Sequence, residues 1–99
     1  MKQTSFRVGT AQAQGYEVPL GPVNLVFAVT ATGLLACGAF DVAALDRFQY
    51  PAARVKSATG APIATVQDLL AGIVKDANAG AAGRGVEAGM TGRQALERL

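Results

Sequence analysis

Apolar and polar positions alternate through the first forty residues with the two-residue rhythm of strands. Residues 4–10 place Phe6 and Val8 on one side of a strand and Arg7 on the other. Residues 14–20 set Tyr16, Val18 and Leu20 against Glu17, a half-buried pattern, and Gly21-Pro22 then turns the chain. Residues 25–30 form the most continuous apolar run and are predicted as a central strand. Thr32-Gly33 closes a tight connection in which Gly33 is expected at positive φ, and residues 34–39 form the returning strand.

The rhythm changes after Phe40. Asp41 is placed to cap a short helix with Val42, Leu45 and Phe48 at helical spacing, ended by Pro51. Residues 52–56 fit another strand with Arg54 at its middle, and residues 57–62 a small-residue loop. Thr65 caps a segment that stripes Val66, Leu69, Leu70, Ile73 and Val74 along one face, with Asp68 near its positive end. Gly72 interrupts that stripe, so residues 73–76 continue the helix or start a short strand. Residues 78–84 predict a glycine-weakened helix stopped by Gly85, and Thr91 with Gln94 forms a capping box that opens a last helix, with Leu96 and Leu99 turned inward.

Together these elements predict one α+β domain over residues 1–99. Its sheet is mostly antiparallel, of four to five strands, with about three helices packed on one face. The other sheet face is the expected subunit contact.

Composition sharpens this picture. Of 99 residues, 51% are hydrophobic but only 6% aromatic, so the core is built from alanine, valine and leucine. Such a core buries little area per residue at roughly 25 cal/mol per Å², and twelve glycines add chain entropy for folding to overcome. A homo-oligomer supplies the missing burial. The nine basic and seven acidic residues are dispersed, with no basic stripe, which argues against nucleic acid as a partner. One cysteine and no histidine exclude an internal disulfide and histidine-based acid–base chemistry, and leave no ordinary zinc ligand set. No metal or cofactor is expected. The single cysteine fits a cytoplasmic protein, and the first ten residues lack the apolar segment of a secretory signal. The uncharged run between Glu17 and Asp41 is long enough to span a bilayer, but its prolines, glycines and β-branched halves fit paired strands better, so no membrane partner is expected.

Two blocks resemble a known family. The first is Gly33-Leu-Leu-Ala-Cys-Gly-Ala-Phe-Asp-Val42. The second runs from Thr65-Val-Gln-Asp-Leu-Leu70 through Asn78, Ala81 and Gly85 to Gly89-Met-Thr-Gly-Arg-Gln-Ala-Leu96. Their order and spacing are similar to the YunC-like small prokaryotic proteins, over most of the chain from about Gly15 onward. The resemblance implies an α+β fold and a complete protein of about this length. It implies no substrate, because the family has no established activity.

Two groups of residues carry candidate chemistry. Cys37, Asp41 and Arg54 form a candidate catalytic set at a subunit cleft: a thiol, a carboxylate and a cation that would lower the thiol's pKa. Each also has a plainer reading, Cys37 as a small core side chain and Asp41 as a helix cap. Thr91, Gly92 and Arg93 form a candidate anion site from free helix amides, a hydroxyl and a guanidinium, beside the plainer reading of a capped helix. Gly80-Ala-Ala-Gly-Arg-Gly85 lacks the ending of a phosphate loop and reads as a closely packed helix. Two functions follow from these residues: an oligomeric domain that binds a small anionic ligand or a protein partner, and a small cysteine-dependent enzyme.

Overall fold

The computed structural model describes residues 1–99. The alternating first segment becomes three consecutive antiparallel strands: β1 (Lys2–Val8), β2 (Ala11–Leu20) and β3 (Val23–Val29). A short β4 (Leu34–Ala36) returns antiparallel to β3, and Phe27 stands opposite Ala36. The chain then crosses one sheet face through α1 (Val42–Asp46) and re-enters as β5 (Ala52–Lys56), parallel to β4. Such a crossover is what a parallel pair requires. After α2 (Val66–Ala71), β6 (Ile73–Ala77) pairs antiparallel with β5, and α3 (Ala79–Gly83) and α4 (Gly92–Arg98) complete the chain. The sheet order follows the sequence from β1 to β6.

The sheet therefore has six strands, where the sequence pattern predicts four to five, and one neighbouring pair is parallel. The additional strand is the segment left open between helix and strand. Gly72 ends α2 in an extended conformation, and a side chain there would come within 2.9 Å of the Lys56 carbonyl oxygen. Only glycine lets the chain lie this close to β5 and begin pairing at Ile73.

The helices also do not share one face, which corrects the predicted layering. Leu35, Ala53 and Val55 join Leu69, Leu70, Leu96 and Leu99 in the main core under α2 and α4. Leu34, Ala36 and Ala52 point the opposite way and pack with Val42 and Leu45 of α1. Strand alternation alone makes a buried β4 serve two cores.

The burial of β2 differs from its hydrophobic pattern. The Tyr16, Val18 and Leu20 row lies on the face away from α2, while Ala13 and Gly15 face the main core. A Cβ on Gly15 would stand 2.7 Å from a Val66 methyl, so the helix seats directly on backbone. Gly33 is not at positive φ, in contrast to expectation; its service is close approach, with Leu99 and the Pro51 carbonyl against it.

All three predicted caps form. Asp41 accepts from Ala44 N at 3.0 Å. Thr65 and Thr91 each close a capping box, with Asp68 and Gln94 respectively. Phe48 does not pack as the helical spacing suggests: α1 ends at Asp46, Gln49 takes φ 57°, and Phe48 is 78% exposed.

Candidate functional site

Two clefts lie back to back around the turn that joins β4 to α1. The first, on the α1 side, has a volume of about 350 Å³ and contains Phe40, Asp41, Arg54, Asp76 and Asn78 in its lining. Arg54 projects into it because Ala36 and Arg54 are registered neighbours on the same face. Its guanidinium forks onto Asp76, with Nε donating to Oδ1 at 3.0 Å and Nη2 to Oδ2 at 2.5 Å. Nη1 reaches the carbonyls of Gly38 at 3.4 Å and Phe40 at 3.5 Å. The fork holds the Asp76 carboxyl below the usual aspartate range, chiefly through the hydrogen bonds from Arg54 and against a smaller opposing effect of burial. Arg54 is thus neutralised by Asp76, and Asp41 adds a further negative charge nearby. The charged side chains lining this cleft sum to one negative charge, which disfavours an anion.

Asn78 anchors the far wall. Its Oδ1 accepts from Ala52 N at 3.1 Å and Ala81 N at 3.0 Å. Its Nδ2 donates to the carbonyls of Val42 at 3.0 Å and Tyr50 at 2.9 Å. One amide side chain thereby joins α1, β5 and the start of α3.

The second cleft opens on the side of the main core and has a volume of about 770 Å³. The 57–64 loop, the start of β3 and the turn after β4 enclose it. Its apolar wall includes Val23, Val55, Pro62 and Ile63, and Cys37 also lines it. Lys56 and Lys75 complete the lining, which includes no carboxylate. Neither lysine has an acidic partner within 4 Å, since the Arg54–Asp76 fork is the chain's one salt bridge. A side-chain amide from Asn24 to the Ala64 carbonyl, at 2.9 Å, ties the loop to β3. Gly38 and Ala39 line both clefts.

The predicted catalytic set is divided between these clefts. Asp41 and Arg54 share the smaller one, whereas Cys37 lines the larger and packs in the main core at 7% exposure. The reason is parity. Ala36 shares a face with Arg54, so Cys37, one residue on, faces the other way.

The Thr91, Gly92 and Arg93 set has most of its amides engaged. Gln94 N donates to Thr91 Oγ1 at 3.1 Å, and Thr91 N to Gln94 Oε1 at 3.0 Å. Gly92 N donates to the Gly72 carbonyl at 2.8 Å. The exposed Arg93 side chain borders a groove of about 220 Å³ with Lys2, Arg7 and Glu17.

Lys56, Lys75 and Asp76 were not singled out from the sequence. Asp76 pairs with Arg54 and Lys56 with Ile73 only through the β5–β6 register, and a register irregularity between Arg54 and Val55 leaves Lys75 unmatched across the ladder.

Residues 36–99 match the model of a family described as a domain of unknown function, DUF1805. The chain belongs to this family. The DUF1805 segment starts within β4 and contains every residue lining the smaller cleft. It contains all of the larger cleft except Pro22, Val23 and Asn24. The fold is similar to the crystal structure of TA1206, a protein of unknown function from Thermoplasma acidophilum. That similarity has a TM-score of 0.86 at 23% identity and covers 99% of this chain and 91% of that one. It shows a shared fold, extending through β1–β3 beyond the DUF1805 match. No curated protein matches the chain.

Proposed function

We propose that this DUF1805 protein is a cytoplasmic binding domain for a small organic anion with an apolar body, held in the larger cleft. One observation carries the reading: a cleft of about 770 Å³ whose only charged lining residues are two lysines without acidic partners. Its size falls within the range of about 300–1,000 Å³ typical of small-molecule sites. Val23, Val55 and Ile63 supply apolar contact, and Lys56 and Lys75 supply the charge for a carboxylate or phosphate. The cytoplasmic placement rests on the single, unpaired cysteine.

The test is calorimetric titration with octanoate and, separately, with inorganic phosphate. Octanoate binding is expected, with phosphate alone weaker, and Lys56→Gln combined with Lys75→Gln is expected to lower octanoate affinity at least about tenfold, equivalent to about 1.4 kcal/mol. Absence of octanoate binding at millimolar concentration, or equal affinity in the double variant, overturns the reading.

A second reading follows from the place of Cys37 in the same cleft: thiol chemistry on the bound anion. It would have to proceed without Asp41 or Arg54, which line the opposite cleft. Rapid alkylation of folded protein by iodoacetamide, slowed by octanoate, would support it. Protection of the thiol until unfolding would remove it.

A further inference from the structure

The sheet ends in β1 on one side and β6 on the other, and the chain closes only the second of these edges. Val74 N on β6 donates to the Met90 carbonyl at 2.8 Å, and Gly89 N donates to the Val74 carbonyl at 2.9 Å. The β1 edge is open. Lys2–Val8 pairs with β2 alone, no backbone hydrogen bond reaches it from elsewhere, and residues 2–5 are exposed. Alternate residues of such a strand direct their N–H and C=O groups outward, where a further strand would pair with them.

A basic groove adjoins this edge. It has a volume of about 220 Å³, lies between β1 and the helices α2 and α4, and has Lys2, Arg7 and Arg93 as its cations. None of the three has an acidic partner within 4 Å. The groove's one carboxylate, Glu17, accepts from Val66 N at 2.9 Å. Three cations against one carboxylate leave a net charge of +2. Lys2, Thr4 and Phe6 share the face of β1 that buries Val8 in the main core, which brings the groove alongside the open backbone. No residue lining it belongs to either cleft, so a ligand here is independent of the octanoate reading.

We infer that the β1 edge binds an extended acidic segment of a partner protein, which adds to the sheet as a further strand and lays carboxylates along the groove. Strand addition of this kind takes its affinity from main-chain hydrogen bonds and its specificity from alternate side chains. Charge selects the occupant. The β1 sequence Lys-Gln-Thr-Ser-Phe-Arg-Val has two cations and no acid, so a second copy pairing edge to edge would crowd Lys2 and Arg7 of both chains along one seam. An acidic strand meets the same cations with opposite charge. A small free anion would meet them too but would make no use of the open backbone. The seven residues of β1 extend about 23 Å at about 3.3 Å per residue, which sets the length of the segment.

NMR titration of the ¹⁵N-labelled full chain tests the inference, with a seven-residue peptide that alternates Glu with Thr and has both ends blocked. Saturable shifts of the β1 amides are expected below about 1 mM peptide, with slowed hydrogen exchange of those facing outward. Raising salt from about 0.1 to 1 M shortens the screening length from about 10 to 3 Å and is expected to weaken binding several-fold. Lys2→Glu combined with Arg93→Glu, both at exposed positions, is expected to raise the dissociation constant at least about tenfold. A peptide with Pro in place of two Thr keeps every charge but loses two backbone donors, and is expected to bind at least about tenfold more weakly. No shift at β1 up to about 1 mM peptide, or equal affinity of the double variant or of the Pro peptide, overturns the inference. So does an oligothymidylate of equal charge that binds β1 as tightly as the Glu/Thr peptide.

Discussion

Asn78→Ala isolates the polar knot that joins the two faces of the sheet. Asn78 is 7% exposed and uses all four of its side-chain hydrogen-bonding positions. Its truncation strands two amides, those of Ala52 and Ala81, and two carbonyls, those of Val42 and Tyr50. A buried polar group without a partner costs about 1–3 kcal/mol. Three of the four bonds are buried, and the Tyr50 carbonyl lies where water can reach it. Two stranded groups at the midpoint already cost about 4 kcal/mol, a large share of the roughly 5–15 kcal/mol by which domains are stable. At about 4–8 °C per kcal/mol for a chain of this size, the melting temperature falls by at least about 15 °C.

Asn78→Asp separates the amide role from simple truncation. A carboxylate still accepts from Ala52 and Ala81 but turns an oxygen toward two carbonyl oxygens. Its folded pKa is then raised above the unfolded value of about 3.9, so its stabilising protonated form is lost as pH rises through the folded value. The Asp variant should therefore be less stable at pH 8 than at pH 5. Urea denaturation followed by circular dichroism measures both effects. An Ala variant within 1 kcal/mol of wild type, taking that as about the median cost of any substitution, would refute the reasoning. So would an Asp variant whose stability changes between pH 5 and pH 8 no more than that of wild type.

Further measurements probe the packing and the acid limb. Gly92→Ala drives a methyl into the Leu69 carbonyl, with Leu70 Cα 3.2 Å away, so about 1–3 kcal/mol of overpacking outweighs the gain of about 1 kcal/mol in helix propensity. Gly83→Ala meets nothing within 4 Å and should leave stability unchanged or raise it by up to about 1 kcal/mol; melting curves in which both variants lose stability equally would contradict this contrast. Asp76 and Asp68 both titrate below the ordinary aspartate value, Asp76 chiefly through Arg54 and Asp68 chiefly through the Ala64 amide. Their contribution is complete above about pH 4 and is lost as pH falls through the folded values. Asp76→Asn should thus flatten the loss of stability between about pH 4 and pH 2, and an unchanged slope would show that the fork adds nothing.

The strands and helix caps were legible because their signals are local. The turns at Gly21-Pro22 and the caps at Asp41, Thr65 and Thr91 depend on a few adjacent residues. Which face of a strand is covered depends on its neighbours. In β2 the larger apolar row, Tyr16 and Val18, read as the buried side, yet the helices lie over Ala13 and Gly15 because small residues admit closer packing. The parallel step from β4 to β5 was hidden for the same reason, since alternation within 52–56 is the same in either direction. The division of Cys37 from Arg54 follows from that pairing and could not be read before the pairing was known. The lysine cleft was least legible: it is assembled from β3, β5, β6 and three connections, and Lys75 enters it beside an irregularity in the ladder.

Gly38 and Ala39, in the turn after β4, line both clefts and separate them. The Gly38 carbonyl on this partition is held from one side by Arg54, while its other side bounds the space near Lys56 and Lys75. The same two residues thus wall the Arg54–Asp76 clasp on one side and the lysine chamber on the other, so a bulkier side chain at position 38 or 39 would reshape both chambers at once.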